Sequence, residues 1–256
     1  MIAPSAYVDP KAKIHESVSI GHFSVIGPDV EIDEGTWIGP HVVIPGPAKI
    51  GKHNKIYQHS SIGEGPQDKK YKGEPTLLEI GDNNVIREFV SIHRGTVQDR
   101  KVTTIGSNNL LMTLVHVAHD CDVKDNVILA NGCAIGGHVV VEDWAIMAGY
   151  SGAHQFCRVG AHAFVGMQVA ISKDVPPYVM VAGYEGAPRG INSEGLKRRN
   201  FSSDAISQVK KAYKLLYRSQ LPLAQALTDI EQQCEDTDEI KAMLAFIQAS
   251  PRGIVR

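Results

Sequence analysis

The chain has 256 residues, 43% of them apolar, and a formal charge of −2 at neutral pH. That is enough apolar material for a substantial core, and there is no basic excess of the kind nucleic-acid binding requires. No apolar stretch approaches the roughly 20 residues that cross a bilayer, and the first residues lack the charged and apolar regions of a signal peptide, so a cytoplasmic chain without a membrane span is expected.

From Val8 an aliphatic residue returns at every sixth position through Ile14, Ile20, Ile26, Ile32, Ile38, Ile44, Ile50, Ile56 and Ile62, and then at Ile80, Ile86 and Ile92. After a shift of one residue it continues from Ile105 through Leu111, Val117, Val123, Leu129, Ile135, Val141, Met147, Ala153, Val159 and Val165 to Ile171. Glycine often follows, as in Ile26-Gly27 and Val159-Gly160. An amphipathic helix needs apolar spacings of three and four, and an ordinary strand alternates, so neither fits. The pattern is the hexapeptide signature of a parallel β-helix. Three hexapeptides make one triangular coil, and residues eighteen apart stack at the strand spacing of about 4.8 Å. The aliphatic ladder fills the prism. Small or β-branched residues four places later, such as Val18, Ser24, Val127 and Ala163, share the interior. Crossovers between parallel strands are normally right-handed; the left hand expected here follows from resemblance to hexapeptide proteins.

The repeat is interrupted twice, by polar loops near 63–79 and 93–104. The first is an integer number of repeats long, so the coil closes again in register. The second carries Arg94, Asp99, Arg100 and Lys101. Loops on a rigid scaffold are favoured places for binding residues. Val175-Pro176-Pro177-Tyr178 then breaks the period, which divides the chain into a β-helix over 1–190 and an α-helical C-terminal domain over 191–256. In the tail, Ser202-Ser203-Asp204 caps a helix carrying Ile206, Val209, Ala212, Tyr213, Leu216 and Tyr217, and Ser219 to Pro222 ends it. A second segment uses Leu223 to Cys234 and a third Ile240 to Ile247. These helices are expected to cover the exposed edge of the last coil.

Cys121, Cys133 and Cys157 fall in the small inward slot, where a thiol packs as a small hydrophobe. Cys121 and Cys157 lie two coils apart, roughly 10 Å, beyond the reach of a disulfide. No metal or catalytic role is expected for them.

None of the eleven histidines occupies an inward slot, so burial is not expected to account for any of them. His116, His119, Asp120, His138 and His154 cluster in the central coils. Stacking by eighteen sets Gly137 against His119, His138 against Asp120 and His154 against Gly136, which predicts one outer corner with several imidazoles, a carboxylate and two glycine backbones. An imidazole beside a carboxylate is a general base of fixed tautomer, and a bare glycine N–H can stabilise an oxyanion. No Ser or Cys is placed as a nucleophile, so the expected reaction is direct attack of an acceptor hydroxyl on an activated acyl group.

The ordered set Asn109-Leu110-Leu111-Met112, His116-Val117-Ala118-His119-Asp120-Cys121, His154-Gln155-Phe156-Cys157, Asp174-Val175-Pro176-Pro177-Tyr178 and Glu194-Gly195-Leu196-Lys197-Arg198-Arg199 closely resembles the UDP-N-acetylglucosamine 3-O-acyltransferases, over essentially the whole chain. The resemblance implies transfer of a (R)-3-hydroxyacyl group from acyl carrier protein to the 3-hydroxyl of UDP-N-acetylglucosamine, the opening step of lipid A synthesis, with no cofactor beyond the carrier's phosphopantetheine and no metal. It implies a homotrimer with each cleft between subunits. By position, His119 matches the general base, Asp120 its supporting carboxylate and Gly137 the amide near the thioester oxygen. His116 and His138 match the lining of the same cleft. His154 and Gln155 match donor or sugar contacts, Asp68 and Lys70 match groups that hold acceptor and acyl chain, and Asn192, Glu194, Arg198 and Arg199 match the nucleotide and phosphopantetheine end. Met167 matches the acyl-length ruler, where glycine leaves room for a longer chain, and implies a medium chain, decanoyl to lauroyl. The chain departs from the pattern at Tyr184, where Asn is usual, and at Asn200, where Gly is usual.

Three other readings of the same residues stay open at this level. A related enzyme would acylate an amine rather than a hydroxyl, a zinc-dependent carbonic anhydrase on the same fold would use histidines as ligands, and a structural solenoid would need no His–Asp corner.

Overall fold

The computed structural model describes residues 1–256, and the six-residue period becomes a left-handed parallel β-helix. Most strands are two residues long, and they sort into three sheets of nine, eight and ten strands. Successive neighbours in a sheet stand eighteen residues apart, as in Ile20↔Ile38, Val117↔Ile135 and Val123↔Val141. The ladder from Ile20 through Val165 to Ile171 is buried almost throughout, and the slot four places later is buried with it, including Val18, Ser24, Val127 and Ala163. Each buried Ile or Leu contributes about 1.5–3 kcal/mol, so the regularity of the ladder is what holds so short a set of strands together.

Most corners are two residues whose second takes a left-handed backbone without being glycine, as at His41 (φ 55°), Asp120 (φ 57°) and His138 (φ 63°), while Gly35 and Gly132 fill the same slot elsewhere. Asn, Asp and His tolerate that region better than most side chains. The corner slot therefore projects polar and aromatic groups outward at fixed intervals.

Both inserted loops leave from the corner between the nine-stranded and eight-stranded sheets. Ile50 pairs with Ile80, two whole repeats beyond its usual partner, and Ile80 pairs with Ile105, one repeat and one residue beyond. The strands Ser61–Glu64, Leu77–Ile80, Ser91–His93 and Val102–Ile105 run into the predicted loop spans, so the excursions are residues 65–76 and 94–101.

After the last coil, Val179–Ala182 joins the ten-stranded sheet in parallel, and Ala187–Ile191 returns beside it antiparallel. An antiparallel strand thus covers that sheet's last edge, a task the sequence reading gave to helices. Four helices follow: α1 (Ser193–Arg198), α2 (Ser203–Tyr217), α3 (Leu223–Gln233) and α4 (Asp238–Gln248). Ser202 caps α2 through a bond from the Ala205 N–H, and Thr237 caps α4 through one from Ile240. Arg158 ties the helices to the prism: its guanidinium lies 4.2 Å above the Phe246 ring and pairs with Glu142 at 2.9 Å. No helix is long and apolar enough to cross a membrane.

Candidate active site

The corner that sends out both loops also carries His119, Asp120, His138 and Phe156. With the loops it encloses a cleft of about 910 Å³ lined by Asp68, Lys70, Thr96, Asp99, Gln155 and these four residues, among others. His119 Nδ1 lies 2.9 Å from Asp120 Oδ2. A carboxylate only accepts, so Nδ1 donates and Nε2 is left bare as a base.

Asp120 is buried, and burial opposes its charge, yet bonds from His119 and Thr96 outweigh that and hold its carboxyl below the usual range. Thr96, on the second loop, donates its N–H to Oδ1 at 2.9 Å and its hydroxyl to Oδ2 at 2.6 Å. His119, Asp120 and His138 offer donor atoms within 4.8 Å of one another, a spacing a metal ion could use. Both Asp120 oxygens are already engaged by Thr96 and His119, which makes the group a hydrogen-bonded dyad.

Gly137 stacks on His119 as the period requires, and it has to be glycine. A Cβ there would stand 2.7 Å from His119 Cε1 and 2.8 Å from Nε2, displacing the ring. No hydrogen bond within the chain uses the Gly137 N–H. A free donor therefore lies beside the bare nitrogen of the base.

The predicted residues do not all meet at this corner. His116 and His154 turn instead to a neighbouring shallow depression whose floor includes Ala134, Gly152 and Ala170. His116 Nδ1 is 2.8 Å from the Ser91 hydroxyl, and burial together with the nearby His93 lowers its proton affinity. Met167 stands 68% exposed at the far corner of the same sheet face. Asn192, Glu194, Arg198 and Arg199 sit at α1, on a different corner. There Asn192 caps the helix and bonds the His162 carbonyl, Arg199 Nη2 donates to the Trp144 carbonyl at 3.1 Å, and Glu194 pairs with Lys197. Within one chain these four do not reach the His119 cleft.

Burial does account for one histidine, contrary to the sequence reading. His93 is 5% exposed, beneath the first loop, with Nδ1 2.6 Å from the Gly65 carbonyl. It points outward from the prism and is covered by an excursion whose path the period does not fix. Thr96 and Asp99 escaped the sequence reading as site residues for the same reason. The cysteines are as predicted: Cys121, Cys133 and Cys157 are buried and free, and burial pushes the Cys121 thiol up to about 12.

The sequence matches the family described as Udp N-acetylglucosamine O-acyltransferase, Domain 2, over residues 174–255, and the bacterial transferase hexapeptide repeat over residues 29–64 and 103–137. The acyl-[acyl-carrier-protein]–UDP-N-acetylglucosamine O-acyltransferase of Herminiimonas arsenicoxydans is 52% identical over 260 residues, covering 100% of this chain and 99% of the relative. Among solved structures, LpxA from Acinetobacter baumannii superposes with a TM-score of 0.97 at 46% identity, covering 100% of this chain and 99% of that one. The UDP-N-acetylglucosamine acyltransferase from Bacteroides fragilis gives 0.98 at 41% identity, with both chains fully covered.

Proposed function

The chain is an acyltransferase belonging to the acyl-[acyl-carrier-protein]–UDP-N-acetylglucosamine O-acyltransferase family, and from that membership we propose that it moves a (R)-3-hydroxyacyl group from acyl carrier protein to the 3-hydroxyl of UDP-N-acetylglucosamine, opening lipid A synthesis in the cytoplasm. The observation that carries the mechanism is the His119–Asp120 dyad beside the unused Gly137 N–H. The bare Nε2 of His119 takes the proton of the 3-hydroxyl as its oxygen attacks the thioester carbonyl, and Asp120 stabilises the imidazolium that forms. Gly137 N–H donates to the oxyanion. Collapse breaks the carbon–sulfur bond, and the leaving thiolate takes the proton back from His119. Each step uses only side chains and backbone of the protein, so the reading needs no metal or cofactor.

The acyl chain is assigned to the depressions over Ala134, Gly152 and Ala170, which reach from His154 to the corner at Gln168; there Met167 would close the end and favour decanoyl to lauroyl donors. Asn192, Glu194, Arg198 and Arg199 serve the nucleotide and phosphopantetheine end. Because they stand on another corner of their own chain, the reading places them in the cleft of a neighbouring subunit, in a homotrimer.

His119→Ala tests the mechanism. Assayed with 3-hydroxyacyl carrier protein and UDP-N-acetylglucosamine, the variant is expected to lose a hundredfold or more, the usual scale for a positioned base. Full transfer by a folded His119→Ala protein would overturn it.

A further inference from the structure

Loop 94–101 meets the cleft twice. Its Thr96 holds Asp120, and its Asp99 Oδ2 lies 2.6 Å from His138 Nδ1. His138 thus has a carboxylate of its own, brought from 39 residues away. Its ring meets His119 edge-on, with centroids 5.1 Å apart and planes at 88°. Its face lies on Phe156 at 4.2 Å, with the planes within 4°. Stack and hydrogen bond together fix the ring, and Nε2 has no partner in the chain. The loop is itself well anchored: Lys101 N–H returns to the Thr96 carbonyl at 3.0 Å, and Arg100 pairs with Asp122 at 3.1 Å.

We propose that Asp99 is a positioning residue for the transfer: by accepting the Nδ1 proton it holds His138 as the tautomer with a bare Nε2, which accepts a hydrogen bond from a sugar hydroxyl and turns the 3-hydroxyl toward His119. The proposal rests on the acyl-transfer reading above. A base must stand within hydrogen-bond reach of the proton it removes. A second acceptor edge-on to that base lies where a vicinal hydroxyl of the same sugar ring would come. An imidazole presents either a donor or an acceptor at Nε2, and the partner of Nδ1 decides which. With Asp99 in place, the two imidazoles present a matched pair of acceptors to a diol.

Asp99→Ala removes the fixing group from a partly exposed loop side chain, whereas the amide oxygen of Asp99→Asn can still accept the proton. The expected result is a KM for UDP-N-acetylglucosamine raised about tenfold in Asp99→Ala, on the scale of one hydrogen bond, with a smaller fall in kcat and an unchanged KM for the acyl donor. Asp99→Asn restores most of the loss. The ¹⁵N shifts of His138 report the tautomer without any turnover and should move from Nδ1–H toward Nε2–H in Asp99→Ala alone. If the wild type forms ester product while Asp99→Ala keeps its acceptor KM, or if the His138 shifts do not move, the positioning role is wrong and the acyl-transfer reading survives. If the wild type forms no ester product, that reading falls and this one with it.

Discussion

Met167 occupies the corner after Phe164–Val165, across the nine-stranded face from His119, and that face carries the small residues Ala134, Gly152 and Ala170 beside His116 and His154. Ala134, Gly152 and Ala170 pair directly and stack as a column along the prism, and the depression they floor reaches Gly132, Tyr150 and Gln168 at that corner. A flexible thioether at the end of an apolar trough sets its length by filling it. Met167→Gly is therefore expected to shift preference toward longer acyl donors, changing the ratio of kcat/KM for myristoyl over decanoyl carrier protein about tenfold or more, within the range one to a few methylenes command in an apolar pocket. A graded series of thioesters measures this, and superimposable profiles for variant and wild type would remove Met167 from the specificity account. At this scale, the sequence reached whatever the period reaches. His119 against Gly137 follows from counting eighteen, and the structure places a hypothetical Cβ of Gly137 within 2.8 Å of His119 Nε2. His93, Thr96 and Asp99 belong to excursions, where no repeat says how far a side chain lies from the prism.

The helical end shows what local patterning can and cannot fix. Ser202 and Thr237 cap α2 and α4, and Val209, Leu216, Met243 and Ile247 are buried as helical spacing requires. The six-residue α1 and the antiparallel return of Ala187–Ile191 were not foreseen, because both depend on docking against the last coils rather than on a periodic stripe. That docking leaves His162 stacked with Trp144 and with Tyr178, with Phe201 edge-on to its ring and Arg199 Nη1 3.4 Å from its Nδ1. Burial, then the Arg199 charge, push its proton affinity down to about 4, with Asp143 pulling weakly the other way. Above its ordinary value near 6.5 the ring is neutral whether folded or not, so it contributes no pH dependence there. Between that value and about 4 the unfolded chain binds a proton that the folded protein refuses, so stability falls as pH falls, and the effect ends below the folded value. Thermal unfolding at pH 7 and pH 5 should show a steeper loss for the wild type than for His162→Phe, a difference on the order of 2 °C. Parallel losses would mean that the ring titrates normally in the folded state.

At the scale of the whole molecule, the proposed function asks two parts of one chain that cannot meet to serve one cleft. His119 stands on the corner between the nine- and eight-stranded sheets, whereas Arg198 and Arg199 stand with Trp144 and His162 on the corner between the eight- and ten-stranded sheets. A rigid prism cannot fold one corner onto another, so if the proposed function is right a second copy has to bring the arginine to His119. Cyclic packing of three prisms would give each cleft one residue set from each of two neighbours, a heterologous contact that closes. On the nine-stranded face and its corner with the ten-stranded sheet, Phe23, Val25, Val43, Phe89 and Leu114 are each 39–60% exposed in the single chain, and an exposed apolar surface of that kind marks an interaction site. Mixing tests this directly. His119→Ala and Arg198→Ala are each expected to be nearly inactive alone, the second through lost phosphate pairing. Co-expressed, they are expected to form mixed trimers in which about a quarter of the clefts would take an intact histidine from one chain and an intact arginine from the next. Recovery of transferase activity to that level would establish a shared cleft, and a mixture no better than its parts would confine the chemistry to a single chain and leave the α1 residues without a role in it.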